Sequence, residues 1–229
     1  MLAHIAAQLP RFLAWHNAVF LLRAAGATLS LSAIGSIAGI LFGGGIAVLR
    51  RSRAIALAPL RALAVLYVEL FRRIPFLVTL FLVFYVSQLG GMELPLFAIA
   101  AVAVSLISTA YLAEIMRAGL DSVHPNQWDG AAVANFSLWQ TLRLVVVPQA
   151  WPVVLPPAFG FFVMFLKDTA LASQIGVVEL AYAGRALNNR GFAPALTYGA
   201  VLLLYFALSY PLSRLGRRLE VLLARPRHR

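Results

Sequence analysis

Long apolar runs separated by short arginine-bearing gaps dominate the pattern of this chain. The first run covers residues 18–49 and stops at Arg50, Arg51 and Arg53. The second covers 56–89 and is interrupted by Arg72, Arg73 and Pro75. A third occupies 94–116, a polar stretch follows over 117–143, and further runs lie at 145–171 and 194–215. Each reaches the ~20 residues that a helix needs to cross a ~30 Å hydrocarbon layer. The pattern predicts an all-α polytopic membrane protein of about five transmembrane helices.

Composition supports this class. The 229 residues are 62% hydrophobic and only 12% charged, with a mean hydropathy of +0.85. A soluble domain would carry more charge on its surface. The formal net charge of +11 does not point to nucleic acid, because the arginines stand between apolar runs and in the tail, at Arg214, Arg217, Arg218, Arg225, Arg227 and Arg229. No aromatic-interleaved basic patch accompanies them. Arginine-bearing gaps face the cytoplasm and meet anionic headgroups, so the N-terminus is expected outside and the tail inside. The gap near Gly90, Gly91 and Glu93 lacks basic residues and reads as external. The gap from Lys167 to Arg190 weakens this count without reversing it. The N-terminus lacks a cleavable-signal pattern, so the first span would serve as its own signal.

Cysteine is absent, and His4, His16, His124 and His228 have no ligand spacing, which offers no metal site. Gly43-Gly44-Gly45 lacks the following Lys-Ser/Thr of a phosphate-binding loop. With no room for a soluble nucleotide domain, the chain is expected to bind no cofactor and to be no enzyme.

The second run is too long for a simple span. One reading breaks it at Pro75, with residues 56–71 as a helix near the cytoplasmic surface; the other is a long tilted helix with snorkelling arginines. Gly35, Gly39 and Gly43 recur every four residues and let another helix approach closely, either within this chain or in a dimer.

Residues 121–150 read DSVHPNQWDGAAVANFSLWQTLRLVVVPQA. Pro125 predicts a turn before a short helix, with Asp129 in its first turn favouring the positive dipole end. Asn135 tolerates the left-handed conformation that closes such a helix. Ser137 can cap a second helix holding Trp139, Thr141 and Leu142, and Pro148 marks the start of the fourth span. Two short helices around a left-handed turn make either a small-faced knob that seats in a partner's groove or an ordinary surface loop.

This stretch resembles the E-A-A-x-x-x-G-x(9)-I-x-L-P signature of ABC importer permeases. Asp129, Gly130 and Ala131 stand at E-A-A, Asn135 at the glycine, Val145 at the isoleucine and Val147-Pro148 at L-P. The flanks are similar to the polar amino-acid branch. Residues 111–119, YLAEIMRAG, look like its AYLAEIxRGG run; Gln127-Trp128 precede the E-A-A position; residues 148–150 match PQA. Residues 167–173, KDTALAS, resemble KDTSLAS, residues 71–75, FRRIP, resemble FRGTP, and Thr28-Leu29 sits at the opening TL. The likeness covers roughly residues 22–220.

The resemblance implies a single transmembrane permease domain over 1–229, with a five-helix core at about 18–217 and a coupling loop at about 117–143. It implies a bacterial inner-membrane location and alternating access powered by ATP with Mg on a separate cytoplasmic ABC ATPase. A second permease copy or paralogue and an external or periplasmic binding protein would complete the importer, with a polar amino acid as cargo. Carried over by position, Gln127, Asp129, Gly130, Ala131, Ala132 and Asn135 form the ATPase-coupling surface. Aspartate, glycine and asparagine depart there from glutamate, alanine and glycine.

Charges near spans are functional candidates. Glu114 and Arg117, three apart on a helix, can pair. Lys167, Asp168 and Thr169 fall near the outer end of the fourth span, where they either meet a zwitterionic substrate or end a helix in water. With Glu114 they form the candidate substrate pathway. An ion-gradient-driven secondary transporter or channel subunit is the competing class; it predicts internal inverted repeats, which the sequence lacks. A membrane enzyme would need clustered polar groups within the spans.

Overall fold

The apolar runs fold as helices because, in hydrocarbon, every backbone N–H and C=O must find its partner within the segment. The computed structural model describes residues 2–52 and 54–224, and among them there is no strand. Arg53, Arg225, Arg227, His228 and Arg229 lie outside the described residues. In chain order the helices are α1 (Leu2–Phe12), α2 (Trp15–Arg51), α3 (Ala58–Arg73), α4 (Phe76–Leu89), α5 (Leu96–Asp121), α6 (Pro125–Val133), α7 (Leu138–Gln140), α8 (Val147–Asp168), α9 (Leu180–Asn189) and α10 (Pro194–Ala224). Helix α2, the continuous helix 138–175, α5 and α10 are long and apolar enough to cross a membrane, and α3 with α4 can supply a fifth, broken span.

The second apolar run breaks where Pro75 predicts. Ile74 (φ −88°, ψ 134°) and Pro75 (φ −57°, ψ 139°) are extended, because a proline ring disfavours helical conformation in the residue before it. A single long tilted helix is thereby excluded.

Two sequence expectations are corrected. Pro148 does not begin the fourth span. The helix starts ten residues earlier, at Leu138, and Thr141–Val146 forms a π-helical turn leading into α8. That turn closes with the Val147 N–H reaching back five residues to Leu142, immediately before Pro148, which has no N–H to offer. Likewise α5 continues to Asp121, so the polar loop is shorter than residues 117–143.

The described chain forms two compact units. The first comprises residues 1–35, 75–104 and 163–212. Here α1 is fastened to the turn after α9: Gln8 Nε2 donates to Gly191 O (3.3 Å), and Ala193 N donates to Gln8 Oε1 (2.7 Å). Phe12 meets Phe192 edge-on, with ring centroids 5.4 Å apart. The core behind them packs Leu21 and Ala24 against Leu180, Ala183, Leu187 and Val201. At its centre Glu179 is fully buried. It caps α9 by accepting from Tyr182 N (2.8 Å), and its other oxygen accepts from Tyr205 Oη at 2.8 Å and Thr28 Oγ1 at 3.5 Å. Thr28 Oγ1 in turn accepts from Leu180 N at 3.3 Å.

Of the described residues, the second unit comprises those within 36–74, 105–162 and 213–224. Two rungs of the α2 glycine ladder, Gly39 and Gly43, pack within the chain, on α5. A Cβ on Gly39 would fall 2.5 Å from Leu112 Cδ1, and one on Gly43 would fall 2.8 Å from Ala113 N. Beyond the ladder, Ala47, Leu120, Val123, Val146 and Ala150 form a buried cluster.

Glu179 gives the first unit a pH signature. Burial pushes its carboxyl above the ordinary glutamate range, against hydrogen bonds from Ala181, Tyr182, Tyr205 and Thr28 that pull it down. The folded state therefore keeps the proton longer than the unfolded chain. The stabilisation is complete below the unfolded value of about 4.3 and is lost as pH rises through the raised folded value. Glu179→Gln should flatten that decline in the thermal midpoint of detergent-solubilised protein as pH rises above the ordinary glutamate range. Parallel wild-type and mutant profiles would contradict it.

Candidate functional site

The polar loop between α5 and α7 folds as a knob with defined ends. His124 caps α6, its Nδ1 accepting from Asn126 N at 3.2 Å, and Pro125 takes the first helical position, where its missing N–H costs nothing. Asn135 has φ 55°. The hydrogen bonds Asn135 N to Ala132 O and Phe136 N to Ala131 O, both 3.0 Å, are the paired closure of a Schellman turn. Asparagine thus holds the left-handed position that the importer signature gives to glycine. Ser137 then caps α7 in a reciprocal capping box with Gln140, as its position predicts. Asp129, by contrast, is the fifth helical residue of α6 and not in the first turn, so dipole stabilisation is not its role.

The knob has an inner and an outer face. Trp128 packs on the Leu120–Val146 cluster, and Ala131 is buried. The Arg51 guanidinium lies over the Trp128 ring, 4.3 Å from its centroid, a cation–π contact that pins the helix from the end of α2. Gln127 Oε1 accepts from Gln149 Nε2 (3.1 Å), whose amide also donates to Val145 O (2.8 Å). The rest of the predicted surface faces outward: Asp129, Gly130, Ala132 and Asn135 are exposed, and the neighbouring Val133 is 85% exposed. A Cβ on Gly130 would meet nothing within 4 Å, so no packing demand explains that glycine.

Glu114 organises the charges beside the knob. It accepts from Arg117 Nη2 at 2.6 Å and from Arg50 Nη1 at 2.7 Å, and Arg72 Nη1 stands 3.8 Å away. Arg117 also pairs with Asp121, which pairs with Arg51. Four guanidiniums thus surround two carboxylates, and the chain of pairs ends over Trp128. Arg50 Nε and Trp128 Nε1 are buried without a hydrogen-bond partner. Around this network Tyr67 Oη donates to Leu106 O (2.7 Å) and Tyr111 Oη to Arg72 O (3.3 Å). The predicted Glu114–Arg117 pair is therefore present, inside a larger network.

In the first unit, Lys167 is exposed and Asp168 half-buried at the end of α8. Thr169 is fully buried, with its hydroxyl given to Leu166 O at 2.7 Å. Sequence reading missed Arg50, Arg51, Asp121 and Gln149 as partners of the knob. Glu114, Arg117 and Asp121 do share one helix face by spacing, but nothing local shows that α2 ends against it.

The family described as "Binding-protein-dependent transport system inner membrane component" matches residues 35–220. The chain is 33% identical over 189 residues to a probable amino-acid ABC transporter permease protein, YckA, of Bacillus subtilis, covering 82% of each chain. It is 36% identical over 199 residues to a probable glutamine ABC transporter permease protein, GlnP, of the same organism, covering 85% of this chain and 89% of that one. Among solved structures, an amino acid ABC transporter crystallised with histidines superposes with a TM-score of 0.79 at 28% identity, covering 89% of this chain and 94% of that one.

The ion network sets a stability expectation. Glu114→Gln leaves Arg50 and Arg117 without their shared anion and puts an amide NH2 against their guanidiniums, which costs about 1–3 kcal/mol for a partly exposed charged hydrogen-bond network. The purified variant should show a lower thermal midpoint. An unchanged midpoint would show that the arginines need no common anion.

Proposed function

Because the chain belongs to the binding-protein-dependent transport system inner membrane components, we propose how this amino-acid ABC permease couples to its motor. The protein is a multi-pass membrane subunit of an importer for polar amino acids. In our reading it hydrolyses nothing itself: a separate cytoplasmic ATPase binds ATP with Mg, and no cofactor is held here. A second permease copy or paralogue completes the pathway, and an external binding protein delivers the substrate. The arginine-rich gaps support a reading with the N-terminus outside and the tail inside the bacterial inner membrane.

The α6 knob is the coupling element. Asp129, Gly130, Ala132 and Asn135 would face the ATPase, Ala131 would seat the knob, and Gln127 would fix its angle through Gln149. When ATP draws two ATPases together, each knob moves with its seat and reorients the spans. A rigid seat is what such transmission requires. The observation that carries the reading is the division of α6 into a pinned inner face and an exposed outer one. Glu114 belongs in this reading to the coupling apparatus as well as to the pathway. Lys167, Asp168 and Thr169 are the pathway candidates of the first unit, where Lys167 and Asp168 offer opposite charges to a zwitterion.

Asp129→Arg reverses an exposed charge without touching the seat. Placing like charges across an interface costs several kcal/mol, so uptake into proteoliposomes should fall at least about tenfold. ATP hydrolysis and membrane insertion should persist. Normal uptake with the ATPase still attached would refute the assignment of α6.

A further inference from the structure

Beside the knob seat lies an apolar slot of about 380 Å³ formed by α2, α5, the π-helical turn and α8. Gly44, Ala47 and Ala150 line it with small side chains, and Met116 and Leu142 with large ones. Its polar character is confined to Trp139, Trp151 and Arg143. Trp139 is 68% and Trp151 47% exposed. Arg143 is exposed, and among the described residues it has no ion-pair partner. It projects from the π-helical turn, a wide backbone form that often marks a functional site.

The slot has a direction. Along α2 it runs from Ile40 to Val48, about 12 Å at the helical rise of ~1.5 Å per residue. One leaflet's hydrocarbon is about 15 Å deep, half of the ~30 Å core. Val48 stands three residues before Arg51, at the arginine end of α2, whereas Ile40 lies eight residues further in. On the other wall Trp139 and Arg143 precede α8, and Val154 lies deeper along it. One end thus carries a cation and the Trp139 indole, and the deeper end is apolar, lined by Ile40, Val154 and the Trp151 ring.

We propose that this slot seats one acyl chain of an anionic phospholipid, with its phosphate on Arg143, Trp139 at the headgroup boundary and Trp151 along the buried chain. Indole rings favour that depth, and a basic side chain near the surface attracts anionic lipid. A second copy of this chain is a poorer occupant, because it would bury Arg143 and would have to supply an acid. The chain has only eight acids, and Glu69, Glu114 and Asp121 already hold arginines. The slot also shares Leu120 and Leu142 with the packing around Trp128, so a seated chain braces the knob from the membrane side.

The inference rests on the membrane placement of α2, α5 and α8, not on sidedness or substrate. The test uses the permease with its ATPase in phosphatidylcholine nanodiscs containing a minor fraction of either phosphatidylglycerol or phosphatidylcholine with brominated chains. The readout is tryptophan quenching, corrected with the Trp139→Phe, Trp151→Phe double variant. Brominated phosphatidylglycerol should quench about fivefold more effectively per mole than brominated phosphatidylcholine. Arg143→Gln should erase the preference, and Gly44→Leu, which fills the slot, should weaken quenching by both lipids. Should Gly44→Leu not assemble, the exposed Arg143→Gln variant decides alone. Equal quenching by the two lipids means bulk lipid only and overturns the proposal. So does a preference that survives Arg143→Gln, and so does absence of quenching, which would mean protein covers the slot. Both leaflets carry the same lipids, so an error in the proposed topology would leave this result unchanged.

Discussion

Charge beside hydrocarbon must be neutralised, and the second unit of this protein is built around that constraint. Glu114 is one carboxylate serving three guanidiniums: Arg50 at the end of α2, Arg72 at the end of α3 and Arg117 one turn along α5. Asp121 carries the alternation on to Arg51, and Arg51 ends it over the indole of Trp128. The ends of two helices and the loop knob are thereby registered against a single face of α5. A knob held only by its apolar cluster could slide; one also held by an ion network and a cation–π contact has a fixed orientation.

The fold was largely legible in the sequence, and particular residues show why. The break at Pro75, the left-handed turn at Asn135 and the cap at Ser137 each follow from the covalent properties of one side chain, so local rules sufficed. The glycine ladder announced a close helix contact, but only the structure identified α5 as its partner. Pro148 misled because a π-helical turn upstream can absorb a missing donor, and such turns leave no composition signal. Glu179 and Tyr205, 26 residues apart, and Arg50 and Glu114, 64 apart, meet only through tertiary packing. Their pairing is invisible to periodicity.

The departures from the importer signature acquire a physical sense. Of the three residues at the E-A-A positions, Ala131 alone faces the seat, where a small side chain is required. Asp129 and Gly130 face outward, and the space around Gly130 is open, so packing within the fold sets no demand on these positions. Asn135 keeps the backbone turn that glycine would make. The loop thus keeps the backbone geometry that the signature implies while its outward-facing chemistry differs.

The claim that matters most is that α6 is a cytoplasmic contact for an ATPase, and the absence of cysteine makes it directly measurable. Val133→Cys places a single thiol at an exposed position of the knob. In membranes containing the whole transporter, a thiol-reactive photocrosslinker at that site should join the permease to its ATPase. A membrane-impermeant thiol reagent added outside intact cells should leave the residue unlabelled. Labelling from outside, or a crosslinked product without the ATPase, would contradict the account.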